Sequence, residues 1–388
     1  MIFLTVLFIV SALLGKNINR PSLHTQKELS KTPKQTALAA KQNCNNTDDS
    51  KFRDKFDCYS DVFYILTQKN GAEFAFETVD ELKKIDTAVK SSCHPIGHAI
   101  GWGVYDLEPK TWKDAIKKMS SACAYGVHMG MIERYASVNG GELDKKTVSS
   151  ICDTSGGCNH GIGHVALLVT DNDIEKALDL CSVLPKSYDR RHWCYTGVFM
   201  ETRTMQNLAE HITVSDERLT GWALFLDDYI KDCSLYQDEV YVACWSGLAL
   251  PAIINFNDGP KIFEICNSAI THEASNKCRR EAVNYLVERN FDDLSAQGYL
   301  CDMAPIYDPE FAHDCHGQIS YNSILLLEPN KFGTVVSYCN NISEEHKAHC
   351  FDNIHNGLSS LRNPVNPETV CLNTQPEYRK ICLGEKNS

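Results

Sequence analysis

Apolar residues recur at helical spacing through most of the chain. The segment 173–181 places Ile174, Ala177, Leu178 and Cys181 on one side of a short amphipathic helix. The segments 244–250 and 278–286 have the same character, and continuous alternation with a period of two is absent. The pattern therefore predicts an all-helical chain.

Regularly spaced cysteines divide these helices into units. Ten cysteines follow one another at intervals of 30 to 37 residues, apart from one interval of 50. We call them the second-helix cysteines: Cys58, Cys93, Cys123, Cys158, Cys194, Cys244, Cys278, Cys315, Cys350 and Cys382. A period near 34 is typical of stacked supersecondary units.

The other eight cysteines indicate how each unit is built. Each lies 6 to 14 residues before a second-helix cysteine: Cys44, Cys152, Cys181, Cys233, Cys266, Cys301, Cys339 and Cys371. This predicts two helices per unit, with a disulfide from the end of the first helix to the start of the second. One such hairpin cannot bury its apolar face alone, so neighbours must stack. We expect an all-α fold, an α-solenoid or α/α superhelix of about ten two-helix repeats cross-linked by intra-repeat disulfides.

The unit resembles two families of helical repeats. An apolar helix, a cysteine, a loop and then Cys-x-x-Gly occur at Cys181 and at Cys194-Tyr195-Thr196-Gly197. This pattern resembles the Sel1-like and tetratricopeptide repeat families, above all the cysteine-rich Sel1-like proteins, over roughly residues 44–388. The resemblance implies a stacked helical architecture and a binding role, and it assigns no functional residue.

Three regions are expected along the chain. Residues 1–15 contain an apolar run that is too short for a membrane span and suits either a signal peptide or a short signal anchor. Residues 16–43 are polar and basic, which predicts a flexible linker. Residues 44–388 form the cysteine-rich repeat domain, with a histidine-rich segment at 93–164. We expect contact with a membrane only through the N-terminal segment, if that segment is not cleaved.

Cysteine content limits the possible cellular compartments, and charge limits the possible classes of partner. Eighteen cysteines without a Cys-x-x-Cys motif favour structural disulfides in an oxidising, extracytoplasmic compartment, either secreted, periplasmic or anchored by the N-terminal segment. The net charge is −12, and no basic stripe with interleaved aromatic residues is present, which argues against nucleic acid as a partner.

Cys93 and Cys123 break the pattern, because neither has a partner cysteine a dozen residues upstream. Two alternatives follow. The two can pair with each other, although equivalent positions on packed helices usually lie about 8–10 Å apart and a disulfide needs Cα atoms within about 7 Å. Otherwise both remain thiols that can bind a metal or take part in redox chemistry.

Histidines concentrate in the same units. His94 and His98, and likewise His160 and His164, form His-x-x-x-His pairs that place two imidazoles one helical turn apart. His128 follows Cys123 by five residues, as His98 follows Cys93. If successive second helices lie side by side, all five imidazoles approach one surface patch. Imidazole is the most frequent transition-metal ligand, which predicts a site for Zn, Cu or Fe.

Other positions limit or extend this hypothesis. His316 and His355 show that single histidines recur at the same positions in later units. Asp106 and Glu201 are candidate carboxylate ligands without a strong spacing, and Glu133 lies five residues after His128, turned away from it. A further expectation concerns the Cys-x-x-Gly motifs, which predict close helix approach at Gly126, Gly161, Gly197 and Gly247.

Two functional classes follow from these patterns. The first is an extracytoplasmic helical-repeat binding protein that holds a protein, peptide or small-molecule ligand on its surface and a transition metal in repeats two to four. The second is a metal-dependent oxidoreductase or hydrolase that uses the same histidine cluster. The candidate metal ligands are His94, His98, His128, His160 and His164, with Cys93 and Cys123 as supplements.

Overall fold

The structure is a computed structural model. It describes residues 32–385 except 45–51, 92, 120–122, 124, 211–230, 257–258, 290–293, 304–308, 328 and 362–363. All regular secondary structure among these described residues is helical, which confirms the predicted fold class at this level. The chain divides into two compact units, residues 1–202 and 203–388, which we call the first and second units.

The first unit contains a series of long helices separated by shorter ones. In order these are α1 (Pro33–Cys44), α2 (Phe52–Lys83), α3 (Thr87–Ser91), α4 (His94–Leu107), α5 (Trp112–Ile116), α6 (Gly126–Val138), α7 (Lys145–Ile151), α8 (Gly156–Val169), α9 (Ile174–Cys181) and the start of α10 (Arg190–Glu210). The longer helices pack in succession, α2 on α4, α4 on α6 and α6 on α8.

The second unit repeats this arrangement. Its helices are α11 (Asp238–Phe256), α12 (Gly259–Asn267), α13 (His272–Arg289), α14 (Leu294–Met303), α15 (Pro309–Leu326), α16 (Phe332–Asn341), α17 (Glu344–Ser359), α18 (Pro367–Val370) and α19 (Pro376–Cys382). Here α11, α13, α15, α17 and α19 pack in order, and α12, α14 and α16 each contact one or two of them. Sequential packing of neighbours is consistent with a helical solenoid.

Helix α9 shows how the sequence sets these short elements. The Asp173 carboxylate accepts a hydrogen bond from the Lys176 backbone N–H at 3.1 Å and so caps the first turn. Ala177, Leu178 and Cys181 are buried on one face, as the apolar spacing predicts. The helix ends at the cysteine that joins it to α10.

All eighteen cysteines form disulfides. Eight bridges join cysteines 6 to 14 residues apart, which confirms the predicted hairpin cross-links. These are Cys44–Cys58, Cys152–Cys158, Cys181–Cys194, Cys233–Cys244, Cys266–Cys278, Cys301–Cys315, Cys339–Cys350 and Cys371–Cys382. In every bridge, including the ninth, a cysteine pairs with the next cysteine along the chain. Nine disulfides are typical of a protein from an oxidising, extracytoplasmic environment.

The ninth bridge joins Cys93 to Cys123, across 30 residues. It settles the two alternatives in favour of pairing, with a Cα–Cα distance of 5.0 Å. The helices lie closer than the usual packing distance because Gly97 of α4 contacts Gly126 of α6. The expectation that Cys93 and Cys123 supply thiol ligands is therefore corrected, because both sulfurs are bonded to each other.

The predicted linker over 16–43 overlaps a helix. Helix α1 begins at Pro33, and its buried residues include Thr36, Ala37 and Ala40, which pack toward α2. These side chains are too small to give a clear apolar period, so the helix was not expected. The predicted leader at 1–15 and the linker up to residue 31 lie outside the described residues. None of the described helices is both long enough and apolar enough to cross a membrane.

Candidate metal centre

His94 and His98 lie one turn apart at the start of α4, and we call them the α4 pair. Their two Nε2 atoms are 3.0 Å apart. Pro95 stands at the first turn of the helix, where its missing N–H leaves no hydrogen bond unmade. The Nε2 atoms of the two rings, which we call the inner nitrogens, point at each other, and we call the Nδ1 atoms the outer nitrogens.

The outer nitrogens of the α4 pair both face acceptors. His94 Nδ1 lies 3.1 Å from the backbone carbonyl of Cys123, and His98 Nδ1 lies 3.0 Å from the carboxylate of Glu133 on α6. Trp102 holds the same carboxylate, because its Nε1–H donates to it at 2.9 Å. Carbonyl and carboxylate oxygens can only accept, so we assign a proton to Nδ1 of each histidine.

His160 and His164 of α8, the α8 pair, repeat this geometry. Their Nε2 atoms are also 3.0 Å apart, and His164 Nδ1 lies 2.6 Å from a Glu201 carboxylate oxygen on α10. His160 Nδ1 is buried without a standard hydrogen bond to any described residue, although the Trp193 backbone lies near enough to favour its protonated form. Both pairs share the sequence His-x-Ile-Gly-His.

The two pairs lie close enough to influence each other electrostatically. The pKa of His94 is lowered to about 3, mainly by burial and also by repulsion from His98 and from His164 of the α8 pair. Burial likewise holds the pKa of His160 well below its usual range, with added repulsion from His164 and His94. At neutral pH, His94 and His160 therefore keep their inner nitrogens as unprotonated electron-pair donors.

His98 and Glu133 shift each other in opposite directions. Burial acts to lower the pKa of His98, but the Glu133 carboxylate outweighs it and raises that pKa. For Glu133, burial acts to raise the pKa, but attraction to His98 and the hydrogen bonds from His98 and Trp102 lower it. The outcome is a charged carboxylate that fixes the imidazole ring by its outer nitrogen.

Glycines bring α6 into contact with the backbone that carries the α4 pair. A Cβ atom at Gly126 would overlap the His94 carbonyl, and one at Gly130 would overlap the His98 carbonyl. Because this space is available only to glycine, α6 can lie near enough for Glu133 to reach His98.

The same device recurs at the α8 pair. A Cβ atom at Gly197 of α10 would overlap the carbonyl of His160, and one at Gly161 would press on Met129 of α6. The close helix approach predicted from the Cys-x-x-Gly motifs is confirmed at these two glycines and at Gly126.

His128 is not brought together with the two pairs. Its ring lies 5.4 Å from that of Tyr125, and it is buried. Gly126 and Gly130 face α4, so position 128 lies about 200° round the helix from the first glycine, on the opposite side. We correct its assignment as a ligand: His128 occupies the interior.

The carboxylates that contact the two histidine pairs are only partly the ones expected from the sequence alone. Asp106 accepts hydrogen bonds from Tyr64 and pairs with Arg134 at 2.8 Å, so it belongs to a separate network. Glu201, which had no strong spacing, and Glu133, which was expected to lie turned away from His128, are the groups that contact the pairs. A signal for both residues was present in the sequence. Glu133 lies seven residues after Gly126, and Glu201 lies four residues after Gly197. Both spacings return to the helix face that carries the glycine.

Each pair is a two-nitrogen donor set. Within the described part of the chain, no three His, Cys, Asp or Glu side chains converge as ligands of one metal ion. Two nitrogen ligands at about 2.1 Å from a metal and at right angles lie about 3.0 Å apart, which is the separation in each pair. The separation in each pair thus suits two of the ligands of a transition metal.

Comparison of the chain with protein-family models, with curated proteins and with solved structures finds no match. The resemblance to the Sel1-like and tetratricopeptide repeat families therefore stays a prediction.

Proposed function

We propose that this chain is an extracytoplasmic helical-repeat binding protein that holds a transition-metal ion through the α4 pair and the α8 pair. The array consists of about ten two-helix units with a period near 34 residues. Its surface binds a protein, a peptide or a small molecule, and its net charge of −12 disfavours nucleic acid. Attachment to a membrane would involve only the N-terminal segment.

The observation that carries the metal proposal is the contact between inner nitrogens. Since Nδ1 of His94 and His98 both face acceptors, two neutral rings would place two lone pairs against each other at 3.0 Å. That contact is repulsive unless a cation lies between the nitrogens. The cation is either a proton, which makes one ring an imidazolium, or a metal ion.

The surrounding carboxylates favour a metal. A metal-bound histidine typically donates its other N–H to a carboxylate or carbonyl, which fixes the ring and makes the metal-facing nitrogen more basic. Glu133 and Glu201 stand in this position, one for each pair. Nitrogen-rich sites of this kind suit Zn, Cu or Fe.

A metal-dependent enzyme is the second candidate. Buried titratable groups whose pKa values are pushed apart are frequent in active sites, and His94 and His98 are shifted in opposite directions. A bound metal with an open position would supply Lewis acidity or redox chemistry to a hydrolase or oxidoreductase. His98, His164 and their carboxylates would orient the site.

The test is metal retention by the full-length oxidised chain at pH 7.5. We expect His98→Gln/His164→Gln to lose one equivalent of Zn, Cu or Fe, measured by plasma mass spectrometry after dialysis. We expect Glu133→Gln, which keeps the size but not the charge, to weaken metal affinity about 10- to 100-fold in a chelator competition.

His128→Gln is the matched control, because it removes a buried imidazole from the same unit but not from either pair. It should keep the full metal content. If the double variant retains as much metal as the wild-type chain, while circular dichroism shows both folded, the metal site at these pairs is disproved.

A further inference from the structure

The second unit contains another group of four histidines, of which the sequence pointed only to His316, as a single residue. Helix α15 carries His313 and His316, and helix α17 carries His346 and His349. Each pair has the spacing His-x-x-His, which places both rings on one side of the helix. Because α15 packs directly on α17, the four rings meet between the two helices.

The rings are in mutual contact. The Nδ1 atoms of His313 and His346 lie 3.3 Å apart, which joins the two helices. The ring of His349 stacks on His313 with centroids 4.5 Å apart, and His316 stacks on His346 at 4.9 Å. Four imidazoles thus form a continuous row.

The deep end of this row is fixed. His316 is fully buried, and its Nδ1 lies 2.7 Å from the hydroxyl of Tyr338 on α16. Its Nε2 makes no hydrogen bond to a described residue and lies 3.4 Å from the Asp302 carboxylate. Since burial disfavours the charged ring, His316 acts as a neutral support for His346.

The outer end is open to solvent and lies beside a carboxylate that is paired with an arginine. The side chain of His349 is 32% exposed, and its Nε2 lies 3.2 Å from the Asn353 side-chain nitrogen and 3.7 Å from the carboxylate of Asp314. Asp314 is held in turn by Arg280 of α13 at 2.8 Å. A cation can therefore approach the row from this side.

We propose that His313 and His346 form a second transition-metal site, which takes a divalent ion such as Zn²⁺, recruits His349 as a third ligand when the ion binds, and is independent of the site in the first unit. Two nitrogen ligands of a tetrahedral Zn²⁺ at about 2.0–2.1 Å lie about 3.3–3.4 Å apart, which matches the His313–His346 separation. Rotation about χ2, which is a soft torsion in histidine, brings the stacked His349 ring to the same ion. Asp314 orients that ring, and His316 supports His346.

The experiment uses the full-length chain with His98→Gln/His164→Gln, which removes the metal site proposed for the first unit. We call this variant the silenced chain. After treatment with a chelator, this protein is titrated with Zn²⁺ at pH 7.5 in isothermal calorimetry. We expect one bound equivalent, which is lost when His313→Gln/His349→Gln is added. The control is His272→Gln, an exposed histidine of α13 outside the row, and it should leave the equivalent in place.

Absence of Zn²⁺ binding in the silenced chain would overturn the proposal, whatever happens in the first unit. The proposal is also overturned if the silenced chain with His313→Gln/His349→Gln stays folded and binds Zn²⁺ as before. If the double variant fails to fold, modification of the silenced chain by diethylpyrocarbonate decides. Zn²⁺ must then protect His313 and His349, and equal modification with and without Zn²⁺ refutes the site.

Discussion

At the scale of single residues, the partner of one ring nitrogen determines what the other can do. In the α4 pair, the Cys123 carbonyl and the Glu133 carboxylate occupy the outer nitrogens. The inner nitrogens are left facing each other, which is the basis of the proposed metal site. His128 has the same distance from its cysteine as His98, but it lies on the other face of its helix and is enclosed by the interior.

His128 should make the stability of the chain dependent on pH. Burial lowers its pKa from 6.5 to about 4, with hydrogen bonding to the Ile116 backbone acting in the opposite direction. The unfolded chain therefore takes up a proton as the pH falls below about 6.5, while the folded chain does not. The stabilisation is complete above pH 6.5 and is lost as the pH falls from 6.5 toward 4, by about 2 kcal/mol at pH 5.

The measurement is the thermal midpoint at pH 7.5 and at pH 5, with a chelator present so that metal binding does not contribute. His128→Gln should show a smaller decrease in midpoint than the wild-type chain, and His272→Gln should show the same decrease. A decrease in His128→Gln equal to that of the wild type would contradict a depressed pKa at this position.

At the scale of helices, glycine contacts set the distance at which the site forms. Gly126 and Gly130 let α6 touch the carbonyls of the α4 pair, and Gly197 does the same for α10 at the α8 pair. The Cys93–Cys123 bridge ties α4 to α6 beside these contacts. Glycine in a helix costs stability relative to alanine, so the close contact is its evident use here.

Gly130→Ala should therefore separate α4 from α6. The added methyl group would overlap the His98 carbonyl, and overpacking of this kind costs about 1–3 kcal/mol. We expect a lower thermal midpoint and a lower metal content in the same protein preparation.

Gly333→Ala provides the control on α16. No atom lies within 4 Å of a Cβ atom built at that exposed helical position. This substitution should raise stability by up to about 1 kcal/mol, because alanine is the better helix former. Equal midpoints in the two variants would show that the α4–α6 contact is not tight.

The sequence predicted most of the helices from the apolar spacing, and it predicted the hairpin bridges because cysteines mark the end of the first helix and the start of the second in most of the repeats. It also placed the two His-x-x-x-His pairs, since their spacing is local. It gave no spacing argument for Glu201 and set Glu133 aside, because the role of both depends on how close two helices come, which is a property of packing. The row from His313 to His349 was missed for the same reason: its pairs face each other across two helices.

At the scale of the molecule, stability is distributed along the array. Each hairpin bridge constrains one two-helix repeat. In a repeat array, a local loss of stability affects mainly the neighbouring repeats. Cys371→Ser/Cys382→Ser in the second unit and Cys181→Ser/Cys194→Ser in the first unit each remove one bridge. Each should cost about 2–4 kcal/mol.

Hydrogen exchange should show that the two variants lose stability in different regions of the chain. Removal of Cys371–Cys382 should raise exchange in α17–α19 and leave the first-unit metal content unchanged. Removal of Cys181–Cys194 should raise exchange in α9 and α10, and it should lower the metal content because α10 carries Glu201. Uniform exchange along the chain in both variants would contradict a modular array.

The order of the bridges bears on how the protein matures. Because every bridge joins two cysteines that are successive along the chain, no bridge encloses or crosses another. A polypeptide that is oxidised while it emerges from a translocation pore, N-terminus first, reaches the native connectivity by joining each thiol to the next one to appear. Such a chain needs an oxidase but no isomerase to correct wrong pairings.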